Sequence, residues 1–150
     1  MIKVSVFSEE KAWSKRLKNT DIFFKKICRA FPKKYQFSNK KVLFSLLLSN
    51  NKNIKKLNNK FRNKNKHTDI LSFPFHQKLK KSKEIYLGDI IISINYMNKS
   101  KYLSAYEFKE KVVKIFIHGF LHLLKFDHIS DNDYLIMNKV ENQIFKKIKG

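Results

Sequence analysis

One segment constrains the fold more than any other: from Ser104 to Leu124 the chain is apolar almost all round. Val112, Val113, Ile115, Phe116, Ile117, Phe120, Leu121, Leu123 and Leu124 leave no broad polar face. A helix of that kind cannot lie on a surface, so it is expected to be the central helix of a core. Ser104 and Glu107 supply its start, because a Ser and a Glu three residues apart satisfy two orphan backbone N–H groups reciprocally. Within this apolar run sit His118 and His122. Their ring nitrogens need polar partners that neighbouring Ile, Phe and Leu do not offer. Four residues apart, they project from one helix face. His128 follows six residues later, beyond the expected helix end, where a turn can return it to the other two.

Three imidazoles can reach one ion at about 2.0–2.1 Å and leave a fourth tetrahedral position for water or substrate. That is the pattern of a catalytic zinc, since structural sites are usually closed by four ligands. His118, His122 and His128 are therefore the expected metal ligands, for one zinc ion or for nickel or another imidazole-binding metal. Asp127 is a candidate acceptor for a ligand ring, or alternatively a cap for the turn into the last helix.

The remaining chain reads as alternating short elements. Residues 2–7 alternate with the two-residue period of a half-buried strand. Ser8-Glu9-Glu10 is expected to open a helix over about 9–31, with Trp13, Leu17, Phe24, Ile27 and Phe31 inward. Val42–Leu48 reads as a strand covered on both faces, and residues 51–62 as a short basic helix bearing Ile54, Leu57 and Phe61 on one side. A polar loop at 63–69, a strand at 70–75 stopped by Pro74, a lysine-rich tip at 78–83 and a strand at 85–95 follow. Ser130 to Asp133 caps a final helix with Leu135, Ile136, Val140, Ile144 and Ile148 inward. The order β-α-β-α-β-β-α-α predicts a single α+β domain over residues 1–150, with a mixed sheet of about four strands packed on the buried central helix.

Composition narrows the setting. The 150 residues are 43% hydrophobic and 14% aromatic, which excludes a disordered tail. No apolar run of about 18 residues is present, so no membrane span is expected, and the alternating N-terminal residues do not resemble a signal peptide. The lone cysteine, Cys28, suits a reducing compartment and reads as a small buried hydrophobe. A cytoplasmic location is expected. The net charge of +21 invites an anionic partner, nucleic acid before membrane. However, 30 of the cations are lysine and only Arg16, Arg29 and Arg62 are arginine. With abundant Asn, Ile and Phe, that skew fits A+T-rich codon usage, and the charge alone does not establish nucleic-acid binding.

The spacing His-x3-His-x5-His also occurs in a class of zinc proteases, but those carry Glu directly after the first histidine as general base. Here that position is Gly119, which makes peptide hydrolysis a poor fit. Three blocks instead resemble one family. His118-Gly-Phe-Leu-His122-Leu-x-x-Phe-Asp127-His128 resembles the His-Gly-x-Leu-His-Leu-x-Gly-Tyr-Asp-His signature of the YbeY-type rRNA maturation factors. Leu57-Asn58-x-x-Phe61-Arg62 with Thr68-Asp69-Ile-Leu71-Ser72-Phe73-Pro74, and Leu87-Gly88-Asp89-Ile90-x-Ile92-Ser93, resemble two further blocks of that family. The resemblance implies an α+β metal-dependent hydrolase: a single-strand-specific endoribonuclease acting in 16S rRNA 3′-end maturation and ribosome quality control. Its implied partners are the 16S rRNA precursor, the small ribosomal subunit and assembly factors, with no DNA specificity and no membrane.

There are departures. The family's turn glycine is Lys125, its tyrosine is Phe126, and the Asp and Pro ahead of Thr-Asp are Asn65 and His67. A lysine held at positive φ costs roughly 1 kcal/mol, which a fold can absorb. Losing the proline is expected to loosen the 63–68 loop, and His67 and His76 read as loop residues and not as ligands. Asp69 and Asp89 read as turn acceptors. Arg62 is the expected catalytic residue. Its planar fork can grip two phosphate oxygens where lysine offers a point charge, and the resemblance places it at the family's catalytically important arginine. In this reading the metal activates the attacking nucleophile, water or a ribose 2′-hydroxyl, while Arg62 stabilises charge on the phosphoryl oxygens. The competing readings are a non-catalytic zinc-containing RNA-binding assembly factor and, third, a metallopeptidase.

Overall fold

Residues 1–75, 84–98 and 104–149 are described by the computed structural model. The lysine-rich tip and His76 lie outside these residues. Strand β1 (Ile2–Ser8) is followed by two helices, α1 (Ala12–Arg16) and α2 (Thr20–Arg29). The single helix expected here is therefore broken. Leu17 is extended, and the Asn19 side chain accepts from the Ile22 N–H to restart the helix with Asp21 in its first turn. The break leaves the inward face intact, for Trp13, Leu17, Phe24, Ile27 and Phe31 are all buried. Gln36 holds the following turn by donating to the carbonyls of Cys28, Arg29 and Phe31. Cys28 is buried as expected, and burial pushes its thiol up to about 12.

Strand β2 (Lys41–Ser49) leads through helix α3 (Asn51–Arg62) to β3 (Ile70–Pro74) and β4 (Glu84–Ser93). The strand expected to reach residue 95 ends at Ser93, where the chain turns into the short helix α4 (Ile94–Met97). The sheet order is β1-β2-β4-β3, with β1, β2 and β4 mutually parallel and β3 antiparallel at the edge. A four-stranded mixed sheet in an α+β fold is what the element order predicts.

One face of this sheet is fully covered. Val4, Val42, Phe44, Leu46, Leu48, Ile90 and Ile92 pack there against α2 and α5 (Ala105–Leu123). Helix α5 buries Phe108, Val112, Phe116, Ile117, Phe120 and Leu121, as its all-round apolarity requires, and its Ser104–Glu107 capping box is formed. The rings of Phe24, Phe31, Phe44, Phe116 and Phe120 meet with centroids 4.8–6.5 Å apart, an aromatic cluster between helix and sheet. The other face is only half covered. Helix α3 lies over it through Ile54 and Leu57, so Leu43, Ser45 and Leu47 of β2 are half-buried and not enclosed as expected.

Helix α6 (Asp131–Lys149) packs on α5 with Val140, Ile144 and Ile148 inward as expected, but its first turns differ. Leu135 and Ile136 are exposed, while Met137 and Ile144 are buried and Val140 and Ile148 pack beside them. The inward stripe is Met137, Val140, Glu141, Ile144 and Ile148, at helical spacing but with a carboxylate inside it. That carboxylate has a partner on α5. Among the described residues, no helix is long and apolar enough to cross a membrane.

Candidate metal centre and its cleft

The C-terminal half of α5 is held unusually close to the sheet. A Cβ built on Gly119 would lie 2.6 Å from Ile70 Cδ1, 3.1 Å from Ile90 Cγ2 and 3.3 Å from Ser72 Oγ. The Ser72 hydroxyl donates to the Gly119 carbonyl at 3.3 Å. Glycine thus fits closely where zinc proteases place their glutamate, and any larger residue would have to displace the Ile70 methyl. A side chain there would press on Ile70 and Ser72 of β3 and Ile90 of β4.

The end of α5 turns sharply. Lys125 N–H donates to His122 O, and Phe126 N–H to Leu121 O, each at 3.0 Å. This pair of bonds is a Schellman motif, with Lys125 in the left-handed position at φ 73°. The expected positive φ is therefore present, and it reverses the chain so that His128 comes back over the helix end. Asp127 accepts from the His128 N–H at 2.8 Å, so its role is to shape this turn and not to orient a ring.

The result is a compact cluster of three imidazoles. One ligand atom from each of His118, His122 and His128 lies within 4.8 Å of the others, an arrangement that can hold a metal ion. The Nε2 atoms of His118 and His122 are 3.0 Å apart. Each of these rings is fixed from behind. His118 Nδ1 meets the Glu141 carboxylate, and His122 Nδ1 lies 3.0 Å from the Phe126 carbonyl. An ionised carboxylate and a carbonyl only accept, so both Nδ1 atoms carry the hydrogen and both Nε2 atoms present lone pairs. Two lone pairs facing each other at that distance are suited to sharing a cation. Two nitrogens bound tetrahedrally to one zinc would be separated by about 3.3 Å, close to the separation seen. The nearby carbonyls at the helix C-terminus also favour a cation. The residues therefore fit a bound metal.

Burial, together with the neighbouring His118 and His128 imidazoles, holds His122 below the ordinary imidazole value of 6.5. It thus stays neutral, as ligation requires, to lower pH than a free histidine.

Opposite the histidines stands Arg62, the last residue of α3. Its Nη2 donates to Ser72 O at 2.9 Å, and its guanidinium lies 5.4 Å from the centre of the Phe73 ring. Arg62 thus crosses the edge strand and joins His118, His122 and His128 around a cleft of about 510 Å³ that Asp69, Ser72 and Lys125 also line. The loop leading from α3 to β3 is held by two side-chain contacts. Asn58 Nδ2 donates to Lys66 O at 2.9 Å, and His67 Nδ1 is 2.9 Å from the Tyr96 hydroxyl. His67 lies apart from the histidine cluster, as expected. Arg16 also has a packing role, its guanidinium 4.4 Å from the centre of the Phe108 ring.

Sequence reasoning brings His118, His122, His128 and Arg62 to one cleft but misses Glu141. The available signal is an acid spaced four after Met137 and three before Ile144, on the inward side of α6.

The chain matches the family described as Endoribonuclease YbeY over residues 6–149. It belongs to that family. A relative from Pelagibacter ubique named Endoribonuclease YbeY is 59% identical, covering 99% of this chain and 97% of that protein. Relatives of the same name from Ehrlichia canis, 34% identical over 99% and 93%, and Persephonella marina, 36% identical over 73% and 72%, also match. A solution structure from Thermotoga maritima shares the fold, with a TM-score of 0.56 at 23% identity over 99% of this chain and 89% of that one.

Proposed function

We propose that this YbeY family member is a metal-dependent endoribonuclease that cleaves single-stranded RNA, with the 3′ end of 16S rRNA as its physiological target and ribosome quality control as its setting. The observation that carries the reading is the pairing of the two walls of one cleft: three imidazoles converging on a point, and an arginine fork facing them across the edge strand. The family name of the relatives supports the reaction class, and the resemblance of the sequence blocks supports the rRNA target.

His118, His122 and His128 would hold the ion, zinc being the first choice for three neutral imidazoles. A zinc ion so held supplies Lewis acidity, favouring ionisation of a nucleophile and drawing charge from a phosphoryl oxygen. Arg62 binds the phosphate through its fork, and its bond to Ser72 O fixes one arm so that the remaining N–H groups are aimed before substrate arrives. Glu141 and the Phe126 carbonyl keep the ligand rings in the right tautomer. Gly119 brings the metal helix against β3, which sets the width of the cleft.

The test is cleavage of a labelled single-stranded RNA, alongside a peptide pool, by wild type, His122→Ala and Arg62→Lys. RNA cleavage should vanish in His122→Ala and fall at least tenfold in Arg62→Lys, since removal of one charge-stabilising donor typically costs about 100- to 1000-fold. The peptides should survive. Cleavage that persists in purified His122→Ala protein would overturn the assignment.

A further inference from the structure

On the half-covered face of the sheet, next to the cleft, lies a second concavity of about 520 Å³. Phe7, Leu47, Leu57, Phe61, Phe73 and Ile91 give it an apolar wall, and Ser45 and Asp89 stand at its polar end. Phe7 and Phe61 are each 59% exposed, a large aromatic surface for side chains with no structural need to face water. The groove and the cleft meet at one place. Arg62 follows Phe61 in sequence, its guanidinium lies 5.4 Å from the Phe73 ring centre, and the Phe61 and Phe73 centroids are 5.5 Å apart.

We infer that this groove is a stacking site for one unpaired nucleobase of the RNA strand whose phosphate is held by Arg62, with Phe61 as its platform. The inference rests on the endoribonuclease reading and deepens it by naming where a base goes. Three observations favour a base over other occupants. A base lies within several ångströms of its own phosphate, the span that separates the Arg62 fork from the Phe73 and Phe61 rings. The described residues lining the groove include the carboxylate Asp89 and no cation, so it repels a phosphate and suits the uncharged part of a nucleotide. Cations stand at its rim instead, with Lys60 Nζ 5.3 Å from the centre of the Phe61 ring. Stacking on an aromatic face, with the backbone on positive charge, is how sequence-tolerant binding of single strands is commonly achieved. Asp89 already accepts from the Tyr86 hydroxyl, which in turn lies 2.9 Å from Ser45 Oγ, so its carboxylate is fixed in place to receive an amino group of a base edge.

Binding of a short fluorescein-labelled, mixed-sequence single-stranded RNA to the full-length chain, measured in EDTA to prevent turnover, tests this directly. Because Phe61 is exposed, its replacement should leave the fold intact, which circular dichroism verifies. Phe61→Ala and Phe61→Leu should both weaken binding about 5- to 100-fold, whereas Phe61→Tyr should bind like wild type. Abasic substitution along the RNA should find one position whose loss weakens wild type but not Phe61→Ala. If Phe61→Ala binds as tightly as wild type while Arg62→Ala is weakened, the stacking site is wrong and the nuclease reading stands. If Phe61→Leu retains full affinity, apolar contact and not stacking is at work, and the inference falls. If wild type binds no RNA either in EDTA or with zinc restored, both readings fall together.

Discussion

Glu141 shows how much a single residue outside a motif can determine. It lies on α6, on the stripe that packs against α5, and its carboxylate is the acceptor behind His118. A ligand histidine whose second nitrogen faces a carboxylate is both oriented and made a better donor. Glu141→Gln should therefore weaken metal binding about 10- to 100-fold in a chelator competition, with the far-ultraviolet spectrum unchanged. His122 makes a second prediction. Its unfolded form takes up a proton near 6.5, while its folded form remains neutral to lower pH. Protons consequently favour the unfolded chain between those two values, and denaturant stability of the metal-free protein should be lost as pH falls through 6.5 and level off below the folded value. Replacing His122 with Gln should flatten that slope. The three histidines and Arg62 are legible in the sequence because each belongs to a local pattern. Glu141 is not, because its role is defined by which face of α6 turns inward, a matter of packing between two helices.

At the level of elements, the end of α5 is the most informative. Its Schellman turn puts Lys125 at φ 73°, a conformation in which a Cβ is costly. Lys125→Gly should stabilise the protein by about 0.5–1 kcal/mol in urea unfolding, the relief of strain being partly offset by the greater freedom of glycine in the unfolded chain. A loss of stability would mean that the lysine side chain contributes more than its backbone costs. The capping box, the apolar helix and the strand order are all readable because they rest on local spacing. The break between α1 and α2 is not, since helical periodicity continues across it and only Asn19, a side-chain cap, marks the restart. Helix α6 stands where the sequence puts it and turns Val140, Ile144 and Ile148 inward as expected, but not its first apolar pair. Leu135 and Ile136 are apolar yet exposed, and no local rule separates them from Met137.

For the molecule as a whole, the +21 charge gains meaning only beside the cleft. Spread over a surface rich in lysine, it offers sequence-independent attraction to a polyanion, and such attraction weakens with salt by counterion release. Removing several surface lysines distant from the cleft should flatten the dependence of RNA affinity on salt. The logarithmic slope should shrink by about 0.7 for each lysine–phosphate pair removed, while the site of cleavage stays unchanged. An unaltered slope would locate the RNA-binding cations elsewhere.

The close approach of Gly119 to the sheet has one more consequence. Two residues separate this spacing from that of a zinc protease, Gly119 where the glutamate would stand and Lys125 where the turn glycine would stand. The packing opposes the first of these changes. With Ile70, Ile90 and Ser72 already against the glycine, Gly119→Glu should crowd the contact between α5 and the strand that carries the other wall of the cleft, and lower stability in urea unfolding.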